Sequence, residues 1–343
     1  MTEKTIEKGL LAKLIDSLLE KYEVFAPIEQ DNLLNFKKIS SGSQLCSDSP
    51  RLERSPKEML LPQCETLFTY RLTGRERKLE EPPGIEGERV LFFTRPCDAK
   101  ALTLIDRVFT SWEPEDTLYR DRRKNTLVIG RACNHPWSTC FCTSLGGSPF
   151  GKEGMDLIFE DVGDKYVVEA LTERGEKLIE SSDLFKDAEK ADLERLKEIS
   201  KQAVDNMRLN LDVTGIEKRL KAMYDDPFWD VASRKCVGCG VCTYLCPVCS
   251  CFDIFDEGTD IKGRRIRIWD ACQFPLFTLQ ASGYNPRTSE KERVRQRTMH
   301  KFNYYFDSFK DLGCVGCGRC VRECPVNLDI REILREIMGR TMD

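Results

Sequence analysis

Twice in this chain of 343 residues, four cysteines recur at the spacing C-x2-C-x2-C-x3-C-P. The first set is Cys236, Cys239, Cys242 and Cys246 ahead of Pro247; the second is Cys314, Cys317, Cys320 and Cys324 ahead of Pro325. Cysteines so spaced ligate [4Fe–4S] cubanes: three thiolates from one tight loop hold one cluster and the fourth reaches the neighbouring one. Crossing assigns Cys236, Cys239, Cys242 and Cys324 to a first cluster, and Cys314, Cys317, Cys320 and Cys246 to a second. Soft thiolate suits cluster iron, and Gly238, Gly240, Gly316 and Gly318 let the backbone curl around a cluster with its N–H groups toward the sulfurs. Zinc is the competing ligand set, because C-x2-C pairs also build zinc ribbons. Zinc takes its cysteines in pairs, whereas here they come in fours with a proline after each. The chemistry expected is one-electron transfer, which needs proximity and a matched potential, so no acid, base or nucleophile is assigned.

A third group lies upstream. Cys97 follows Arg95-Pro96, and Cys133, Cys140 and Cys142 share the segment 133–142. Each group comes directly after a short apolar run, Val90–Phe93 or Leu127–Gly130, of the kind that fills a buried strand. Parallel neighbouring strands would bring both loops to one sheet edge, where α/β folds collect ligands. Four thiolates there would make a third [4Fe–4S] site; buried structural cysteines are the alternative that grouping alone leaves open.

The elements that must position these residues fall into two regions. Residues 1–210 read as an α/β domain, with an amphipathic helix over 3–21, a Ser-rich irregular stretch near 40–56, a hairpin from Met155–Phe159 and Tyr166–Ala170, and a closing helix over 182–207. Residues 211–343 read as a mainly α-helical dicluster ferredoxin domain. There Ser289 and Glu292 form a capping box opening a helix to about 308, and Ile330, Ile333, Leu334, Ile337 and Met338 mark one buried face of another. The interval between the two cysteine motifs is far longer than in compact ferredoxins. It resembles the α-helical ferredoxin domain of respiratory and heterodisulfide-type reductase subunits.

Bulk composition narrows the function classes. With 53 basic and 57 acidic residues the net charge is -4, so nothing attracts nucleic acid or anionic lipid. No apolar run reaches membrane-span length, and the 17 cysteines in a long, Lys-rich chain suit metal binding in a reducing cytoplasm. No G-x-G-x-x-G follows a predicted strand, so dinucleotide binding is not indicated here.

Arg95-Pro-Cys-Asp-Ala99, Cys140-Phe-Cys-Thr-Ser-Leu-Gly-Gly147, Trp269-Asp-Ala-Cys272, Asn285-Pro-Arg287 and the two ferredoxin motifs together resemble the β subunit of soluble [NiFe] sulfhydrogenases. They are also similar to the A subunit of anaerobic sulfite reductase. The resemblance runs from about residue 50 to the C-terminus. It implies a relay of three [4Fe–4S] clusters, with Cys97, Cys133, Cys140 and Cys142 holding the third. It also implies two partners, a flavin- and NAD(P)-binding reductase subunit and a separate catalytic subunit. The rival reading is a reductase that itself binds flavin or a small oxidant at Gly146-Gly147, and a third makes the N-terminal domain a metal-free docking scaffold. Cys249 and Cys251 read as packing beside a cluster, Cys272 as a core thiol, and Cys46 and Cys64 as having no ligand company. His135 reads as a local turn residue or a modulator of a cluster, and the basic stretch Arg287, Lys291, Arg293, Arg295, Arg297 and Lys301 as a solvated helix face or as a docking or field-neutralising group beside the anionic clusters.

Overall fold

A computed structural model describes residues 3–31, 33–47, 52–82, 84 and 87–340. Its strands in chain order are β1 (Lys4–Glu7), β2 (Tyr22–Gln30), β3 (Leu33–Lys38), β4 (Cys64–Thr73), β5 (Glu76–Glu80), β6 (Glu88–Thr94), β7 (Thr126–Arg131), β8 (Leu157–Asp161), β9 (Lys165–Ala170), β10 (Lys186–Asp187), β11 (Phe252–Gly258) and β12 (Lys262–Trp269). The chain divides into two compact units. One comprises Met1–Pro56, Gly87–Val213 and Cys314–Arg319; the other comprises Lys57–Glu86, Thr214–Gly313 and Cys320–Asp343. This differs from a first domain running unbroken through 1–210, because β4 pairs with β12 and carries 57–86 into the second unit.

The first unit is built on a sheet of order β10-β1-β9-β8-β7-β6-β2-β3. Its centre, β2, β6, β7 and β8, is parallel. A parallel strand covered on both faces reads as a continuous apolar run, and Val90, Leu91, Phe92, Val128 and Ile129 are fully buried. Each such side chain contributes about 1.5–3 kcal/mol by leaving water. The hairpin foreseen near 155–170 is β8–β9. The first helix, Leu11–Leu19, buries Leu11, Leu14, Ile15 and Leu18, the i, i+3, i+4, i+7 stripe of an amphipathic helix. It begins later than the 3–21 reading because β1 pairs with β9 and β10 instead. Of the Ser-rich stretch, 48–51 lie outside the described residues.

The second unit is helical around its cysteines. Helices Ile216–Ala222, Glu290–Met299 and Ile330–Gly339 frame it, and the second of these continues through a π turn, His300–Tyr304, into Tyr305–Phe309. The capping box at Ser289 and Glu292 forms as the sequence suggests. An antiparallel sheet of order β11-β12-β4-β5 is the addition that the sequence reading missed. Charged residues interrupt its strands, most heavily β5 and β12, so their periodicity did not stand out from loop. They are pinned by a buried ion pair, Arg267 to Glu65 at 2.5 Å.

Candidate metal centres

In the second unit, Gly240 at φ 75° turns the chain into the short helix Val241–Tyr244, and Cys236, Cys239 and Cys242 line a cavity together with Cys320 and Cys324. Four of these five are the residues the spacing rule assigned to the first cluster. Polar partners of the sulfurs are already in place. The backbone N–H of Leu328 donates to Cys324 Sγ at 3.2 Å, and buried Gln273 accepts from Cys236 Sγ at 3.7 Å. Arg297 enters the same cavity, donating to the Cys242 carbonyl at 3.2 Å while its buried Nε has no partner among the described residues. A buried polar nitrogen left unpaired costs about 1–3 kcal/mol, and an anionic cluster between the thiolates would relieve that cost. Cys239 is exposed, which brings this centre to the surface.

Among the described residues, no three His, Cys, Asp or Glu side chains converge on a point where one ion could sit. Zinc needs four sulfurs about 2.3 Å from a single centre, so this spacing does not suit it. Thiolates spread around a cavity suit a cluster of several irons.

In the first unit, a bulge between Phe92 and Thr94 ends β6. Phe93 takes φ 63° there, an outlier for a bulky residue of the sort that re-aims a chain beside a site. The chain then enters helix Pro96–Thr110 with Pro96 at its start, and Cys97 lies in the first turn. Cys133 follows β7, with its N–H bonded to the Pro149 carbonyl at 2.9 Å. Cys142 opens a 3-10 turn closed by Gly146 at φ 68°, and the Gly147 N–H returns to the Cys142 carbonyl at 3.0 Å. The Gly146-Gly147 pair thus shapes the loop that presents Cys142.

Cys133, Cys140 and Cys142 sense one another electrostatically, and Cys97 senses Cys140. Burial raises all four thiols, Cys142 to about 12. Cationic iron would reverse that preference, so loading such a site releases protons. Cys314 and Cys317 belong to this unit too. The Phe141 N–H donates to the Gly316 carbonyl at 2.8 Å, Cys140 Sγ donates to the Cys317 carbonyl at 3.7 Å, and Thr139 Oγ1 is buried beside them without a partner among the described residues. His135 acts through its backbone, which is hydrogen-bonded to the Cys133 thiol.

Half of the basic stretch is not a solvated face. Arg293, Arg297 and Lys301 are 2%, 9% and 5% exposed, and their i, i+4, i+8 spacing, which puts them on one side of a helix, was the signal available for this. Lys57 is buried against the carbonyls of Cys246 and Cys249, at 2.8 Å to each, and nothing in its sequence context announces that role.

A family model described as a 4Fe-4S dicluster domain matches residues 235–328. Over 327 residues, 95% of each chain, the sequence is 30% identical to sulfhydrogenase 2 subunit beta of Pyrococcus furiosus. The chain belongs to the sulfhydrogenase β-subunit family. No solved structure matches it. For this family member, the dicluster match spans all eight cysteines of the two ferredoxin motifs, so it is an iron–sulfur electron-transfer subunit. Cys97, Cys133, Cys140 and Cys142 lie outside that match. Among the described residues no helix is long and apolar enough to cross a membrane.

Proposed function

We propose that this chain relays single electrons through three [4Fe–4S] clusters, between a flavin- and NAD(P)-binding subunit and a separate catalytic subunit of a cytoplasmic redox complex. The first cluster is held by Cys236, Cys239, Cys242 and Cys324. The second takes Cys314, Cys317, Cys320 and Cys246, and the third takes Cys97, Cys133, Cys140 and Cys142. The observation that carries the reading is the cavity of the second unit, where cysteines from both ferredoxin motifs surround one space with Arg297 facing into it. Cys239 is exposed and Val237, between Cys236 and Cys239, is 62% exposed, as an electron-exchange surface needs. The curated relative is named as one subunit of a sulfhydrogenase, and this supports a multisubunit setting. The N-terminal cluster is tested by difference. Chain produced without oxygen and loaded with iron and sulfide should lose about four irons and one EPR signal on Cys140→Ser/Cys142→Ser. Unchanged iron would remove the third cluster and leave Cys97, Cys133, Cys140 and Cys142 as structural cysteines. A flavin absorption band in the isolated chain, or NAD(P)H turnover without partners, would favour the reductase reading.

A further inference from the structure

Apolar side chains of the second unit collect in water beside the loop that carries Cys236 and Cys239. Val237 is exposed between those two cysteines, and Leu276, Leu279 and Tyr284, on the segment that follows Gln273, are 72%, 48% and 62% exposed. The two segments lie against each other. Gln273 accepts from Cys236 Sγ, a Cβ on Gly238 would stand 3.3 Å from the Gln273 carbonyl oxygen, and one on Gly240 would stand 2.6 Å from the Phe274 ring. The outer segment is tied by its own hydrogen bonds. Thr278 Oγ1 donates to Asn285 Oδ1 at 2.7 Å, Asn285 Nδ2 to the Pro275 carbonyl at 2.6 Å, and the Gln280 N–H to the Tyr284 carbonyl at 2.9 Å. A loop so tied holds its leucines in water and forgoes the roughly 1.5–3 kcal/mol that burying each would supply. Apolar surface collected in this way marks an interaction site.

Charge at this face has one sign. Residues 231–246 and 271–289 contain Arg234, Lys235 and Arg287 and no Asp or Glu, although the whole chain carries a net charge of -4. Arg234 and Lys235 are exposed. The carboxylates that flank these segments are engaged elsewhere: Asp230 with Lys291 at 2.8 Å, Glu290 with Arg293 at 2.6 Å, and Asp270 with the Ala271 N–H at 2.6 Å. A small apolar centre with a cationic rim fits a partner that carries carboxylates around its own redox group. Opposite charge steers such an encounter, and the limited contact lets the pair separate after transfer.

We propose that this face docks a diffusible one-electron carrier protein with an acidic surface, which exchanges electrons with the first cluster beside exposed Cys239. The inference rests on the relay reading and deepens it by giving the first cluster a mobile partner. One electron crosses per encounter. The carrier is oxidised as the cluster is reduced, or the reverse, with no bond made and no proton moved.

The test uses full-length chain loaded with iron and sulfide under anaerobic conditions, and a plant-type [2Fe–2S] ferredoxin as the acidic probe. Titration calorimetry with both proteins oxidised reads docking without electron transfer. Affinity should fall steeply between about 0.01 M and 1 M salt, as the screening length drops from about 30 Å to about 3 Å. Arg234→Glu/Lys235→Glu should weaken binding at low salt by about tenfold or more and flatten the salt dependence. Leu276→Ser/Leu279→Ser should weaken it at every salt concentration with the slope kept. Lys197→Glu/Lys201→Glu, the same charge change on an exposed helix face of the first unit, should match the parent. Rapid mixing of either protein pre-reduced with the other oxidised should show transfer slowed in the two face variants alone. Salt-insensitive binding, a complex that persists at about 1 M salt, equal losses in the control, or face variants that behave as the parent would each overturn the docking site. EPR of the dithionite-reduced chain separates this from the relay reading. A first-cluster signal present in every variant while binding is indifferent removes the docking face alone, whereas its absence from the parent removes the relay.

Discussion

Arg319 and Asp98 form a bidentate ion pair, 2.5 and 2.8 Å between Nη and Oδ atoms, with side chains 3% and 0% exposed. Asp98 directly follows Cys97, and Arg319 stands between Cys317 and Cys320, so the pair ties the second motif's loop to the helix start that carries Cys97. Removing one member leaves the other charge buried and uncompensated.

Asp98→Asn should therefore destabilise the chain by about 3–5 kcal/mol, whereas replacing both partners by well-packed apolar residues, as in Asp98→Leu/Arg319→Met, should recover much of that loss. Denaturant midpoints of the iron-loaded proteins would decide it. Equal losses in the single and double variants would mean that the pair matters through shape, not charge.

Gly318 has φ +72°, and a Cβ there would stand 2.4 Å from the Thr139 carbonyl oxygen. Left-handed backbone costs a non-glycine residue roughly 1–2 kcal/mol, and the clash with backbone adds about 1–3 kcal/mol. Gly318→Ala should lower thermal stability measurably, while Gly9→Ala, with open space around it, should lower it by much less. Comparable melting temperatures for the two variants would refute the close approach.

Arg297→Leu removes a buried positive charge from the cavity that Cys236, Cys239, Cys242 and Cys324 line. The reduced cluster is the more anionic form, so its potential should fall. The size is on the order of 2 kcal/mol, the energy of unit charges several ångströms apart at an effective dielectric constant near 20. An EPR-monitored redox titration would measure the change, and an unchanged or raised potential would contradict the placement.

Glu160 is buried within the first unit, and burial raises its carboxyl from the usual 4.5 to about 7, Lys152 opposing the shift and Glu169 and Glu3 adding to it. Because the folded chain holds this proton more tightly, the associated stability is complete below about 4.5 and is lost as pH rises through about 7. Glu160→Gln should thus match the parent near pH 4 and exceed it near pH 8 by up to about 3 kcal/mol. A stability difference that does not grow with pH would place the titration elsewhere.

The sequence by itself determined the dicluster domain, the buried parallel strands and the capped helix. Two C-x2-C-x2-C-x3-C-P motifs mark the dicluster domain through spacing inside tight loops, a local property, and the apolar runs at 90–93 and 127–130 read correctly as buried strands because parallel strands covered on both faces have no polar side. The capping box at Ser289 and Glu292 was equally local. Tertiary structure decided the company those residues keep. Arg293, Arg297 and Lys301 read as a solvated face because charge normally stays in water; they are buried because sulfur, carbonyls and carboxylate surround them. Lys57 meets Cys246 and Cys249, and Cys251 meets Cys272, only because β4 and the β11–β12 hairpin pair across wide sequence separations. No spacing rule reports such pairings, because they depend on strand register, and register is fixed only when the whole sheet forms.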